Sequence, residues 1–487
     1  MRQGDRVMEP KTKAFKKAAA ATIANPELQS RLRNLYDGFY KARDRAVEAT
    51  PNWDALSDKG RAIKAHTIQH LGHYLEMAEA SVIRAGGKVF FAKDIEAANK
   101  YVLDLARSRG VRSAIKSKSM ISEEMGLNQR LEEAGIEAVE TDLGEYLIQL
   151  KGETPYHIIA PAIHMSKPDA ASLLQAQSDV PIGDSIEEMA GAARVQLREK
   201  FIAADMGISG VNFLVAETGT VVLVTNEGNG RMTTSMPPIH VAIMGMEKVV
   251  PSMEDLGTML RLLVRSATGQ RLSSYVTTIT GPRREGDVDG PEEFHLVIVD
   301  NGRSKILADP EMREALYCLR CGACLNACPV YRKVGGHAYG WVYSGPIGAV
   351  VSPMLTSLPE AKDLPHASSL CGACREVCPV KIDIPRMLLH MRSELAEGRV
   401  DPEAKSVPLI ERLAMKGWRM SVAGPMMLRL TNRLGRLLQW PLTRGGRINK
   451  LPPPLSGWTR HRTFPALAKR PFRDRWKDIN RGEHGEH

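Results

Sequence analysis

Apolar residues first recur at helical spacing after Asn25-Pro26-Glu27, a helix opening with Asn as cap and Pro at the first helical position. Leu28, Leu32, Leu35, Tyr36 and Phe39 then share one face, which predicts packing on a core. A second long helix is expected from about Trp53 to Ala85, stopped by Gly86-Gly87. From Lys88 the period changes. Lys88 to Ala92 reads as a strand, Asp94 caps a helix ending near Gly110, and Val111 to Ile115 reads as the next strand. A helix capped by Ser122, with Glu123 and Glu124 in its first turn, runs to Gly135, and Ile136 to Glu140 reads as a third strand. A helix from about Ile186 to Asp205 follows, then short strands at Asn212 to Ala216 and Thr220 to Thr225. The series closes on the strand His295 to Val299 after about six alternations. Such alternation predicts an α/β fold with a mostly parallel sheet and right-handed crossovers. Asp309-Pro310-Glu311 should cap a helix running into Cys318, and Ile384 to Ala396 reads as a helix packed behind the cysteines.

Ligands of parallel sheets bind at the carboxyl ends of strands. The loop carrying Lys116, Lys118 and Ser119 falls there, and Glu123 follows it. Glu217 and Thr218 sit in the turn between two short strands, and Asn226 and Arg231 bound the stretch Asn226-Glu-Gly-Asn-Gly-Arg231. These eight residues are the candidate pocket. The glycines could admit an anion to the backbone, or could form only a turn, since no P-loop or G-x-G-x-x-G pattern is met. Which residues would be catalytic is unknown. His66, His70 and His73 lie on the second long helix without a cysteine or carboxylate cluster beside them, so they read as structural.

The most specific chemistry comes later. All seven cysteines lie between Cys318 and Cys378. Cys318, Cys321, Cys324 and Cys328, followed by Pro329, have the C-x2-C-x2-C-x3-C-P spacing of bacterial ferredoxin clusters. Cys371, Cys374 and Cys378, followed by Pro379, repeat the motif with its first cysteine missing, and Ser368 stands at that place. In two-cluster ferredoxins the fourth cysteine of each motif serves the other cluster. Cys318, Cys321, Cys324 and Cys378 would then hold one cluster, and Cys328, Cys371 and Cys374 the second. The second could be a three-iron cluster, or a four-iron cluster completed by Ser368, water, a carboxylate or a partner's group. Zinc also accepts cysteine quartets, but four cysteines within eleven positions crowd a single cluster loop.

A chain of 487 residues is too long for one core. With every cysteine in the cluster run, none is left for disulfides, which points to a reducing compartment and a cytoplasmic location. No apolar run reaches the length of a membrane span. The Ala-rich run from Ala18 to Ala24 reads as a helix start or a disordered arm. The net charge of +10 belongs to the tail, because residues 401–487 hold 18 Lys plus Arg against 7 Asp plus Glu. Between Val407 and Trp440 apolar residues alternate with Arg412, Lys416, Arg419, Arg429, Arg433 and Arg436. That composition suits an anionic membrane surface or an acidic partner. Pro452 to Pro454 predict an extended linker, and Trp458, Phe464, Phe472 and Trp476 lie in the basic end. No nucleic-acid motif accompanies them, and docking on partner subunits is the expectation.

The phrases Lys116-Ser-Lys-Ser-Met-Ile-Ser-Glu-Glu124, Glu140-Thr-Asp-Leu-Gly-Glu145 and Ala216-Glu-Thr-Gly-Thr220, followed by the paired cysteine motifs, resemble the lactate utilisation protein B family. The resemblance runs from about residue 25 to the tail. It implies a LUD domain, similar in fold to the isomerase and CoA-transferase superfamily, joined to an α-helical two-cluster ferredoxin-like domain. It further implies two [4Fe-4S] clusters on the seven cysteines and a part in oxidising L-lactate to pyruvate. The implied partners are a cysteine-rich lactate utilisation subunit and a second LUD-domain protein. The expected divisions are an arm (1–24), a helical segment of the LUD domain (25–87), the LUD α/β domain (88–304), the iron-sulfur domain (305–400) and a basic extension (401–487).

Three functions compete at this point. The chain could be an electron-transfer subunit passing electrons from 2-hydroxy acid oxidation to a partner or a quinone-linked acceptor at the inner membrane face. It could itself be the catalyst, through an open cluster iron or through Lys118 with Glu123 or Glu217. An iron-sulfur regulator that binds nucleic acid through the basic tail is the third and least favoured.

Overall fold

The computed structural model describes residues 11–183, 185–398, 407–453, 455–460, 462–472 and 475–476. They form two compact units, divided between Ser406 and Val407.

The first unit is built on a parallel sheet. Its strands are β1 (Lys88–Ala92), β2 (Ser113–Lys116), β3 (Glu137–Glu140), β4 (Met206–Gly210), β7 (Ile239–Gly245) and β10 (Glu293–Val299). They lie in the order β1-β10-β7-β4-β2-β3, and every pairing is parallel. β7 is buried along its whole length. Such a strand reads as a continuous apolar run, because helices cover both faces of a parallel sheet. Asp94 caps the Ile95–Ser108 helix as expected, its carboxylate accepting from the Ala97 amide at 2.8 Å.

A second sheet stands against the first. It holds β5 (Phe213–Val215), β6 (Thr220–Thr225), β8 (Val249–Val250) and β9 (Tyr275–Ile279) in the order β8-β5-β6-β9. The connection from β5 to β6 is too short for a crossover, so the two strands pair antiparallel as a hairpin.

Several local expectations are corrected. The long helix is two, Trp53–Gln69 and Leu71–Arg84, because His70 leaves helical geometry at φ −111° and ψ 32°. The helix after β2 is capped by Ser119 rather than Ser122, and it breaks at Gly126, whose φ of +62° ends one segment and starts the Leu127–Glu133 helix. The glycine stretch after β6 is part helix, Asn229–Ser235. The approach to Cys318 is a 3-10 turn, Arg313–Tyr317. The alanine run lies in a helix, Phe15–Ile23, whose Phe15 meets the Tyr339 ring edge-on at 5.4 Å.

Behind the sheet the cysteine-bearing segment folds from short helices, chiefly Ala323–Ala327, Gly345–Leu355 and Ile384–Glu397. One apolar core runs without interruption from Phe294, Leu296 and Leu262 of the α/β part to Leu325, Tyr331 and Val350 around the cysteines. A separate core under the opposite face contains Val102, Leu131, Ile208 and Val297.

The second unit consists of the helices Leu409–Val422 and Pro425–Gln439 and a small antiparallel sheet of β11 (Thr443–Arg444), β12 (Arg447–Ile448) and β13 (Phe464–Pro465). Neither helix has a buried residue. Pro454 of the expected linker lies outside the described residues.

Candidate functional site

The two cysteine loops have the same local construction fifty positions apart. Cys318 Sγ accepts from the Arg320 amide at 3.4 Å, and Arg320 has a φ of +61°. Ser368 Oγ accepts from the Leu370 amide at 3.1 Å, and Leu370 has a φ of +57°. Gly322 and Gly372 follow at +76° and +86°, where a side chain would be strained, and each opens a short helix carrying the next cysteine. Ser368 therefore holds the loop position that Cys318 holds in the first motif.

Cys321, Cys324, Cys328 and Cys374 are buried, Cys318 and Cys378 are partly buried, and Cys371 is exposed. Burial pushes the Cys321 and Cys374 thiols up to about 12 and Cys378 up to about 11. Neighbouring thiols add to the effect of burial. Cys318, Cys321, Cys324 and Cys378 act on one another, while Cys328, Cys371 and Cys374 do the same, with Cys324 also reaching Cys374. A buried thiol stays protonated unless a cation takes its charge, and cluster iron is such a cation. Backbone amides also point at sulfur: Tyr331 donates to Cys328 Sγ at 3.5 Å and Ile382 to Cys378 Sγ at 3.3 Å. Among the described residues no three His, Cys, Asp or Glu side chains close around one point as they would around a single ion.

A cavity of about 440 Å³ opens at the carboxyl ends of β2, β4 and β7. It lies at the switch point of the sheet, since β3 and β4 lie on opposite sides of β2. Of the eight pocket candidates, Lys118, Ser119 and Asn226 line it. Lys116 is buried beneath, with Nζ donating to Glu140 Oε1 at 2.6 Å and standing 3.6 Å from Glu123 Oε1. Burial opposes its charge, but Glu140 and Glu123 outweigh burial and hold its pKa above the ordinary value. Glu123 faces a smaller cavity of about 120 Å³ with Glu140 and Glu145. Glu217 and Thr218 occupy the hairpin turn, one six-residue strand away from Asn226, or roughly 20 Å. Arg231 is exposed and stands over the Tyr275 ring at 5.4 Å. The structure thus brings three of the candidates together and leaves five outside.

Other residues of the cavity escaped the sequence reading. Arg320, Cys321 and Tyr343 come from the cysteine segment, and Glu247, Lys248 and Arg303 from the ends of β7 and β10. Arg303 is buried between two carboxylates, donating to Glu124 Oε2 at 2.8 Å and Glu247 Oε2 at 2.9 Å. Tyr343 donates to Glu124 Oε2 at 2.6 Å, and the Arg320 guanidinium lies 4.4 Å from the centre of the Tyr343 ring. Burial raises the Glu247 carboxyl, but Arg303, Arg320 and Lys248 more than offset it and hold it at about 2. A signal was present in the sequence: Glu247 and Lys248 follow directly after the apolar run of β7, where such sheets place ligand contacts.

Residues 75–299 match the LUD domain, 314–382 the 4Fe-4S dicluster domain and 391–481 the C-terminal domain of lactate utilisation protein B. Lactate utilization protein B of Shouchella clausii is 45% identical over 458 residues, covering 91% of this chain and 95% of that protein. The proteins of the same name from Bacillus velezensis and Bacillus thuringiensis are each 44% identical, over 96% and 98% of this chain and 97% and 99% of theirs. A crystal structure of a DUF162 family protein from Deinococcus radiodurans aligns with 47% of this chain and 98% of that one at a TM-score of 0.28 and 12% identity. With full-length relatives at this identity and an iron-sulfur dicluster domain following a LUD domain, the chain belongs to the lactate utilization protein B family.

Proposed function

We propose that the protein is an iron-sulfur electron carrier in lactate utilisation, taking electrons from the oxidation of a 2-hydroxy acid to its 2-oxo acid and passing them to a partner or a respiratory acceptor. The observations that carry this reading are the match of residues 314–382 to a 4Fe-4S dicluster domain and the two cysteine loops built alike around Cys318 and Ser368. In this reading Cys318, Cys321, Cys324 and Cys378 hold one cluster, and Cys328, Cys371 and Cys374 hold the second, with Ser368 beside its open corner. The oxidation releases two electrons and two protons. Thiolate-bound clusters exchange single electrons, so two clusters in one chain suit a two-electron donor. A cysteine-rich subunit and a second LUD protein are the expected partners, inside the cell and against the inner membrane face. The names of the full-length relatives support lactate as the substrate of the system.

Growth on lactate tests this reading. A deletion strain should fail on lactate as sole carbon source and recover with the intact gene, but not with a Cys321→Ser or Cys374→Ser copy expressed at the same level. Unimpaired growth of the deletion strain would remove the proposal. Reduction of a dye by the purified single chain on addition of lactate would instead favour a catalytic role for the chain itself.

A further inference from the structure

We propose that the cavity at the ends of β2, β4 and β7 is a binding site for a 2-hydroxy or 2-oxo carboxylate, with the carboxylate received by Arg320, Lys248 and Lys118 beside the first cysteine loop. The inference deepens the electron-carrier reading and rests on it only for the choice of acid.

Three cations of the lining stand without a close ion pair, and Glu227 of the same lining, which acts on Lys118 from a distance, accepts from the Leu143 amide at 3.4 Å. Arg303 is engaged by Glu124 and Glu247. Asp142, also in the wall, accepts from the Gly144 and Glu145 amides as cap of the Leu143–Lys151 helix. Lys118 and Lys248 have no carboxylate within ion-pair distance among the described residues, and both line the cavity. Arg320 Nη1 is buried with no hydrogen-bond partner among the described residues, and Nη2 stands 3.9 Å from Glu247 Oε1. A buried guanidinium donor without an acceptor costs free energy that a bound anion would recover.

The chemistry favours a carboxylate over a phosphate. The donors are side chains, one of them a planar fork that matches a planar carboxylate. Ile158, Leu223 and Leu263 also line the cavity and would cover a carbon skeleton. A volume of about 440 Å³ is within the usual range for small-molecule sites and exceeds the needs of a three-carbon acid. Longer acids should therefore bind more tightly, by about fourfold for each methylene placed on that wall.

Position makes the site a reporter on the cluster. Arg320 lies between Cys318 and Cys321, and Cys321 itself lines the cavity. A carboxylate there adds negative charge beside the first cluster, which disfavours its reduction, and reciprocity requires the reduced protein to bind the acid more weakly.

The test is calorimetric titration of the anaerobic, cluster-loaded full chain with lactate, pyruvate, 2-hydroxyhexanoate and inorganic phosphate, followed by a potentiometric EPR titration with and without saturating acid. Saturable binding that strengthens with chain length, a more negative potential for one cluster, and at least a tenfold loss in Lys118→Gln and Lys248→Met are the expected results. Lys118 and Lys248 lie outside the cysteine loops, so these variants should keep their iron. Arg320→Gln is read only where its iron content matches the parent. Failure of every acid to bind, phosphate binding as tightly as the acids, or unchanged affinity in both lysine variants would overturn the assignment. Cluster content and growth on lactate report separately on the electron-carrier reading.

Discussion

Ser368 receives from the amide two residues on the hydrogen bond that Cys318 receives in the first loop, at 3.1 Å against 3.4 Å, with the donor residue left-handed in both. The two loops share this backbone turn, with a hydroxyl oxygen at the place of the first motif's sulfur. Hard oxygen holds iron less firmly than thiolate. The second cluster should therefore lose about one iron per chain on mild oxidation and show a three-iron EPR signal. Ser368→Cys should suppress that signal and Ser368→Ala should enhance it. Equal iron loss in all three proteins would mean that Ser368 does not approach the cluster.

Arg303 ties the strand ends of the α/β part to the cysteine segment through Glu124, Glu247 and, by way of Glu124, Tyr343. Removing one member of a buried ionic group leaves the others uncompensated. Arg303→Met should cost about 3–5 kcal/mol in denaturant unfolding. Double replacement of Arg303 and Glu124 by apolar residues should recover part of the loss. A cost under about 1 kcal/mol would show that water reaches the group.

Burial pushes His157 and His240 from 6.5 down to about 3, with Lys118 adding to the effect on His157 and His295 to that on His240. Both stay neutral in the folded protein while the unfolded chain takes up protons below about 6.5, so the stability they contribute is complete above that pH and lost as pH falls toward about 3. Glu247, held at about 2 against 4.5, adds a second loss between those values. Unfolding free energy should fall from pH 6.5 downward and more steeply below 4.5. His240→Asn should remove up to about 1.4 kcal/mol per pH unit from the upper part of that slope. A slope unaltered by the substitution would contradict the burial argument.

The helices of the second unit leave Leu413, Trp418, Leu430 and Leu434 exposed among arginines. Each cation near an anionic lipid surface contributes about 1 kcal/mol. The full chain should sediment with vesicles rich in anionic lipid at low salt, and replacing Arg429, Arg433 and Arg436 with Gln should weaken this by about a hundredfold. Equal binding to neutral vesicles would contradict the electrostatic part.

The cysteine repeat, its missing ligand and the βα alternation were legible because each is a local pattern with one physical cause. Asp94 and the strand at Lys88–Ala92 fell where propensity placed them. Ser122 misled because acidic residues follow it, whereas Ser119 takes the cap with its side chain accepting from the Ser122 amide. The cavity was only partly legible. Lys118 and Ser119 follow from strand ends, but Arg320 and Arg303 reach it through tertiary packing of segments far apart in sequence. Arg231 looked like an anion ligand beside glycines, and the Asn229–Ser235 helix turned it to the surface.

The most direct test of the central proposal is EPR of the anaerobic chain, reconstituted with the cysteine-rich subunit and the second LUD protein, before and after lactate is added. Appearance of a reduced-cluster signal together with pyruvate, and its absence when Cys321→Ser replaces the parent chain, is the predicted result. Pyruvate formed at an undiminished rate with the Cys321→Ser chain would contradict it.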